Sequence, residues 1–199
     1  MRRNMRLFTA GILGAALLLF ISGCQQSDQN VQAARETTAD TGDGTNKAVL
    51  SDSDRDFLKK AEEGDIKEQN IGRFVLGKSQ NKDVKDYAQM LVDDHTKDLK
   101  KVVDLMTQKG MPQPKGLPEV KHEALRKLNG LSGAVLDGQF MTMMVEDHQK
   151  AIIEFRKEVN SAQDEDVKYY AEHTLPTLQE HLQKAQMLQD KVSNASRTR

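Results

Sequence analysis

Two of the five histidines in this chain sit in nearly the same decapeptide: MLVDDHTKDL from Met90 to Leu99, and MMVEDHQKAI from Met143 to Ile152. Each copy places an acid and an Asp before its histidine and a Lys two residues after it. His95 and His148 fall in line with apolar residues spaced three and four apart, as one buried face of a helix requires. An imidazole on such a face either hydrogen-bonds within the core or offers a nitrogen lone pair to a metal. Glu68 and His181 occupy equivalent positions on two further periodic segments. Three imidazoles and a carboxylate suit a divalent transition ion such as iron, zinc, copper or manganese. Asp94 and Asp147 are available as further ligands or as acceptors that orient the rings. A metal-free Glu–His hydrogen-bond cluster, with Glu68 protonated or paired with an imidazolium, is the alternative that the residues leave open.

Four amphipathic segments must position these side chains, so the expected class is all-α. Helix A, capped by Ser53, runs to about Ser79, with Phe57, Ala61, Gly64, Glu68, Ile71 and Val75 facing in. Helix B begins near Asn81 and stops at Gly110, its seam being Val84, Tyr87, Leu91, His95, Leu99, Val102 and Met106. Helix C covers about Ser132 to Asn160 with Leu136, Phe140, Met144, His148, Ile152, Phe155 and Val159 inward. Helix D covers about Asp164 to Val192 and buries Val167, Ala171, Thr174, Leu178, His181, Ala185 and Leu188, with a kink or bulge at Pro176. The Pro- and Gly-rich connection between B and C exceeds what a helical hairpin needs and can hold a short helix from Glu119 to Leu128. A crossover of that length makes B and C parallel and brings His95 and His148 to one height.

The 199 residues are 37% hydrophobic and 30% charged with a net charge of -1, which fits one domain and supplies no basic stripe for nucleic acid. Alternating charges read as exposed helix faces, and His122 and His173 as solvated. Met90, Met141, Met143 and Met144 read as core filling, with a soft copper site as the alternative. No nucleophile elbow, phosphate-cradling loop or spaced cysteine pair occurs, so no catalytic residue is assigned.

The first 23 residues carry Arg2, Arg3 and Arg6 ahead of an apolar run from Leu7 to Ile21, the pattern of a secretory signal peptide. Ile21-Ser22-Gly23-Cys24 resembles the lipobox of bacterial lipoproteins, which implies acylation of Cys24. Gln25 lacks the Asp that retains such proteins in the inner membrane, so the expected location is the outer membrane, facing the periplasm. Residues 24–50 are polar and low in apolar side chains, as in a disordered tether. The bundle is then 51–193, with 194–199 a tail. The membrane is the partner implied by the anchor; the sequence names no protein partner.

Glu68, the Asp94-His95 and Asp147-His148 pairs, LSGAVLDGQF (Leu131–Phe140) and TLPTLQEHL (Thr174–Leu182) together resemble the bacterial envelope family called domain of unknown function 4142. The resemblance spans about Asp52 to Val192. It implies a ferritin-like four-helix bundle in the cell envelope. The Glu/His layer itself points to metal handling or oxidative-stress protection, with a non-catalytic envelope interaction or structural lipoprotein as the alternative. A standard di-iron centre needs Glu three residues before two of its histidines. Val92, Val145 and Leu178 stand at those positions here.

Overall fold

The computed structural model describes residues 50–112 and 120–197, and among these the chain is all helical. The elements are α1 (Asp52–Lys78), α2 (Lys82–Gln108), α3 (Val120–Asn129), α4 (Gly133–Ser161) and α5 (Glu165–Arg197). The helices start where side chains satisfy their free N–H groups. Ser51 Oγ accepts from the Asp54 amide at 3.0 Å. Asn81 Oδ1 accepts from Asp83 and Val84. Asp164 Oδ1 accepts from Asp166 and Val167. The cap of α1 is therefore Ser51 rather than Ser53, whose hydroxyl lies 2.9 Å from the Ser51 hydroxyl instead. Gly110, at φ 72°, turns the chain out of α2, a backbone conformation that costs a residue with a Cβ about 1 kcal/mol or more. Helix α5 continues to Arg197, through residues expected as a tail, and is unbroken at Pro176.

Contacts between the helices fix their directions. Lys191 pairs with Asp83 near one end of the α2/α5 interface, and Lys109 with Asp164 at the other, so these helices are antiparallel. Across α1 and α4, Lys60 meets Glu154 and Ser79 meets Asp137, which is again antiparallel. Thus α2 and α4 run parallel, as the long crossover requires. The short helix in that crossover buries Leu128 and is tied to α1 by Lys78 Nζ donating to the Asn129 carbonyl at 2.9 Å.

Two apolar clusters fill the bundle. One gathers Phe57, Leu58, Val102, Leu105, Phe155 and Tyr170; the other gathers Ile71, Val75, Leu91, Leu136, Phe140 and Met144. Fully burying such side chains contributes roughly 1.5–3 kcal/mol each before entropy is counted. Between the clusters in sequence, along α1, α2, α4 and α5, come the buried polar residues Asp65, Glu68, His95, Asp98, His148 and His181.

The two hairpins α1/α2 and α4/α5 repeat one another. The offset that carries Asp54 to Asp137 also carries Phe57 to Phe140 and DVKDYA at Asp83 to DVKYYA at Asp166. Their contacts are exchanged reciprocally. Phe57 meets Tyr170 edge-on at 6.1 Å and 61°, and Phe140 meets Tyr87 at 6.0 Å and 62°. Tyr87 donates to the His181 carbonyl, and Tyr170 donates to Asp98. Asp54 accepts from the Gln163 and Asp164 amides in one inter-helix turn, while Asp137 accepts from Ser79 in the other.

Helices α1 and α2 approach closely at Gly72, where an added Cβ would lie 2.8 Å from Val92 Cγ2 and 3.0 Å from the Ala88 carbonyl oxygen. Val92 can rotate, but the carbonyl belongs to the α2 backbone. Gly72→Ala gains roughly 0.5–1 kcal/mol of helix propensity and loses roughly 1–3 kcal/mol to overpacking. A lower denaturant midpoint, with a net loss of about 1–2 kcal/mol, is expected; an unchanged or raised midpoint would show that the helices separate freely there.

Candidate metal centre

His95 on α2, His148 on α4 and His181 on α5 converge in the interior, each no more than 5% exposed. One ligand nitrogen from each lies within 4.8 Å of those of the other two. Their ring centroids are 5.3–5.9 Å apart. The parallel α2 and α4 bring the two repeated motifs to one height, while α5 adds the third ring from the opposite direction.

The hydrogen bonds assign the tautomers. His148 Nδ1 lies 2.9 Å from the Met144 carbonyl, which can only accept, so Nδ1 carries the proton and a neutral ring keeps its lone pair on Nε2. His181 Nε2 lies 3.3 Å from Asp94 Oδ2; donation to that carboxylate leaves the lone pair on Nδ1. His95 Nδ1 lies 2.8 Å from Asp65 Oδ1, and its Nε2 is buried without a hydrogen-bond partner. Every ring thus has one nitrogen held by an oxygen acceptor, and in the neutral form the other keeps its lone pair. Two of the free nitrogens, His148 Nε2 and His181 Nδ1, face each other at 3.3 Å.

Electrostatics keep this pair neutral. Burial, with the nearby His95 and each other's charge, pushes His148 down to about 3. Burial and His95 push His181 down to about 4 against the pull of Asp94. Burial also opposes charge on His95, but the Asp65 hydrogen bond and the neighbouring carboxylates outweigh it and raise that ring. Burial pushes Asp65 and Glu68 each up to about 7. Asp94 is held below the usual carboxylate range by Lys97 and His181, despite its partial burial.

Glu68 is buried on α1 with Oε2 unpartnered, but it stands outside the close histidine group. It lines the same cavity as His95 and His148. Of the two motif aspartates, Asp94 holds His181 rather than its chain neighbour His95. Asp147 touches no histidine and pairs instead with Lys67 at 2.7 Å, whose Nζ is 3.9 Å from Glu68. His173 is exposed and stacked on Tyr169, as expected of a solvated residue. Met141 and Met144 are wholly buried among Leu136 and Phe140. Lys184 Nζ rests against Met90 Sδ at 3.2 Å. Cys24 and the proposed signal segment and tether through residue 49 lie outside the described residues, as does the side chain of His122. No described helix is long and apolar enough to cross a membrane.

Asp65 and Asp98 are the residues that charge patterning misplaces on exposed faces. Asp98 accepts from Tyr170 and Thr174 at 2.7 and 3.0 Å, and Asp65 is the acceptor for His95. Inward-facing Gly64 gives way to Asp65, which is buried while Gly64 is half-buried. The signal was available: each acid adjoins a seam position, and a bundle helix buries a stripe about three residues wide per heptad rather than two.

The same helical arrangement occurs in a DUF305 fragment from Deinococcus radiodurans, at 13% identity and TM-score 0.63, covering 71% of this chain and 98% of that one. A DUF305 protein from Streptomyces coelicolor described as secreted gives 12% and 0.62, covering 71% and 92%. CopM in its Cu(II)-bound form gives 13% and 0.56, covering 69% and 96%. At these identities the likeness is one of fold. No curated protein matches the sequence. What sequence does establish is descent: with residues 39–188 matched, this chain belongs to the family described as Domain of unknown function (DUF4142).

Proposed function

We propose that this protein is a bacterial-envelope metal-binding protein that holds a divalent transition ion through His95, His148 and His181, with Glu68 as a fourth donor. The observation that carries this reading is the hydrogen-bond pattern around the three rings. Each imidazole is oriented by an acceptor on one nitrogen, namely a carboxylate, a backbone carbonyl or a second carboxylate, as metal-bound histidines characteristically are. The 3.3 Å between His148 Nε2 and His181 Nδ1 also matches the ~3.3 Å edge of a tetrahedron with bonds of about 2.0–2.1 Å. The other separations, up to 4.8 Å, require His95 to draw in as the site closes. Imidazole donors suit copper(II), zinc, iron or nickel, and among divalent ions copper(II) binds such donors most tightly. The Cu(II)-bound CopM shares the fold, which supports copper as the first ion to test.

The connectivity, with two antiparallel hairpins joined by one long crossover, supports reading the fold as a ferritin-like bundle. The signal-like segment and the lipobox-like Ile21–Cys24 support acylation at Cys24 and residence at the outer membrane, facing the periplasm. The role is metal handling or protection against oxidative stress.

Elemental analysis and copper(II) titration of the untagged protein test the binding. Near-stoichiometric, saturable metal is expected; none after incubation with copper, zinc, iron and manganese would reduce the histidines to a packing layer. Affinity should also depend on pH. A neutral Glu68 cannot serve as an anionic donor and a charged His95 has no lone pair to offer, so protons on the raised His95 ring, and on Glu68 as pH falls through about 7, compete with the ion, at about tenfold in affinity per pH unit for each proton displaced. Below about pH 4, His181 and then His148 add to that loss. In Glu68→Gln the component near pH 7 should shrink, and an unchanged profile would remove Glu68 from the donor set.

A further inference from the structure

We propose that the cavity between α1 and α4 admits a small exogenous ligand, of azide or peroxide size, to an open face of the histidine site. This rests on the metal-binding reading above. Three helices supply one imidazole each; α1 supplies none, and the cavity lies on its side of the bundle. Its volume of about 240 Å³ is far above the ~10–15 Å³ that admits one water by the same measure.

His95 and His148 form part of its wall, whereas His181 does not. Asp65 and Glu68, each 5% exposed, line it too, and each has one carboxyl oxygen without a partner. Buried polar atoms of this kind are costly unless something meets them. Apolar side chains including Phe57, Ala61 and Phe155 cover other parts of the wall, which disfavours large polar occupants. Lys60 and Lys67 line the cavity and are paired to Glu154 and Asp147 across α1 and α4. A donor set that leaves a position for a small molecule is the arrangement that distinguishes reactive metal sites from closed structural ones.

Gly64 provides the means to close the cavity. It lines the space, and a Cβ there meets nothing within 4 Å. The experiment is azide titration of copper(II)-loaded protein, read by the azide-to-copper charge-transfer band and by electron paramagnetic resonance, in native protein and in Gly64→Ala and Gly64→Leu. Native protein should develop the band saturably. Gly64→Leu should bind copper as native does but azide at least ~10-fold more weakly, equivalent to ~1.4 kcal/mol, with Gly64→Ala between them. Copper retained without any azide response, or equal azide affinity in all three proteins, overturns the inference while leaving the metal site standing. Failure of native protein to hold copper overturns the inference, and failure with zinc, iron and manganese as well overturns the metal reading with it. If Gly64→Leu loses copper, Gly64→Ala decides: unweakened azide binding in that variant counts against the cavity as the route.

Discussion

Replacing His148 with Leu should lower metal affinity more than ~100-fold, beyond the ~10–100-fold that outer hydrogen-bond partners typically command, while the metal-free protein folds as well as before. His148 is only 2% exposed, and His181 lies against its lone pair. Without an ion the two basic nitrogens face each other with no proton between them in the neutral tautomers, an arrangement that contributes nothing to stability. Leu fills nearly the same space, and the Met144 carbonyl that loses the Nδ1–H can keep its helical partner. The metal-free variant should therefore equal or exceed native stability by up to ~1 kcal/mol. Calorimetric copper titration and denaturant unfolding check the two halves separately. Unimpaired copper binding would remove His148 from the site. Lost binding together with a collapse of helicity would show instead that the ring is needed to build the bundle.

Asp65→Ala should act in the opposite way on stability and in the same way on metal. Without the carboxylate, His95 Nδ1–H has no acceptor in a position where water is scarce, at a cost of roughly 1–3 kcal/mol. The ring also loses the partner that fixes its tautomer and points Nε2 at the other histidines, so affinity should fall roughly 10–100-fold. Asp65→Asn separates orientation from charge, because its amide oxygen can still accept from Nδ1. That variant should recover most of the stability and part of the affinity. Equal losses in both variants would mean that the negative charge, rather than the hydrogen bond, sustains the site. No loss of affinity in either would detach His95 from the ion altogether.

The opposite stability changes of these substitutions follow from one distinction. Histidine 148 brings a basic atom that only a cation satisfies, whereas Asp65 satisfies a donor already present. A metal-free polar layer evolved for packing alone would have both residues stabilising. Measuring the metal-free variants thus bears on function even before a physiological ion is identified.

Much of this architecture was legible in the chain because helix periodicity is a local property. Steps of three and four place Leu91, His95 and Val102, or Phe140, Met144 and His148, on one face whatever they pack against. Asn81 and Gly110 mark the limits of α2 by their own hydrogen-bonding and backbone chemistry. The repeated decapeptide announced His95 and His148, and the length of the crossover implied that their helices run parallel. Tertiary structure decided what a one-dimensional pattern cannot carry. An aspartate adjoining a seam can face solvent or core, and only the neighbouring helix settles which; Asp65 turned inward because His95 stands opposite it, and Asp98 because Tyr170 and Thr174 do. The partners of His95 and His181 were likewise set across helices, since Asp65 reaches His95 from α1 and Asp94 on α2 meets His181 instead of the histidine beside it in the chain. The internal repeat became interpretable only once Phe57 was seen against Tyr170 and Phe140 against Tyr87, because reciprocal contacts are a relation in space. Sequence nominated the histidines; the packing of α2, α4 and α5 directed their free nitrogens toward one another.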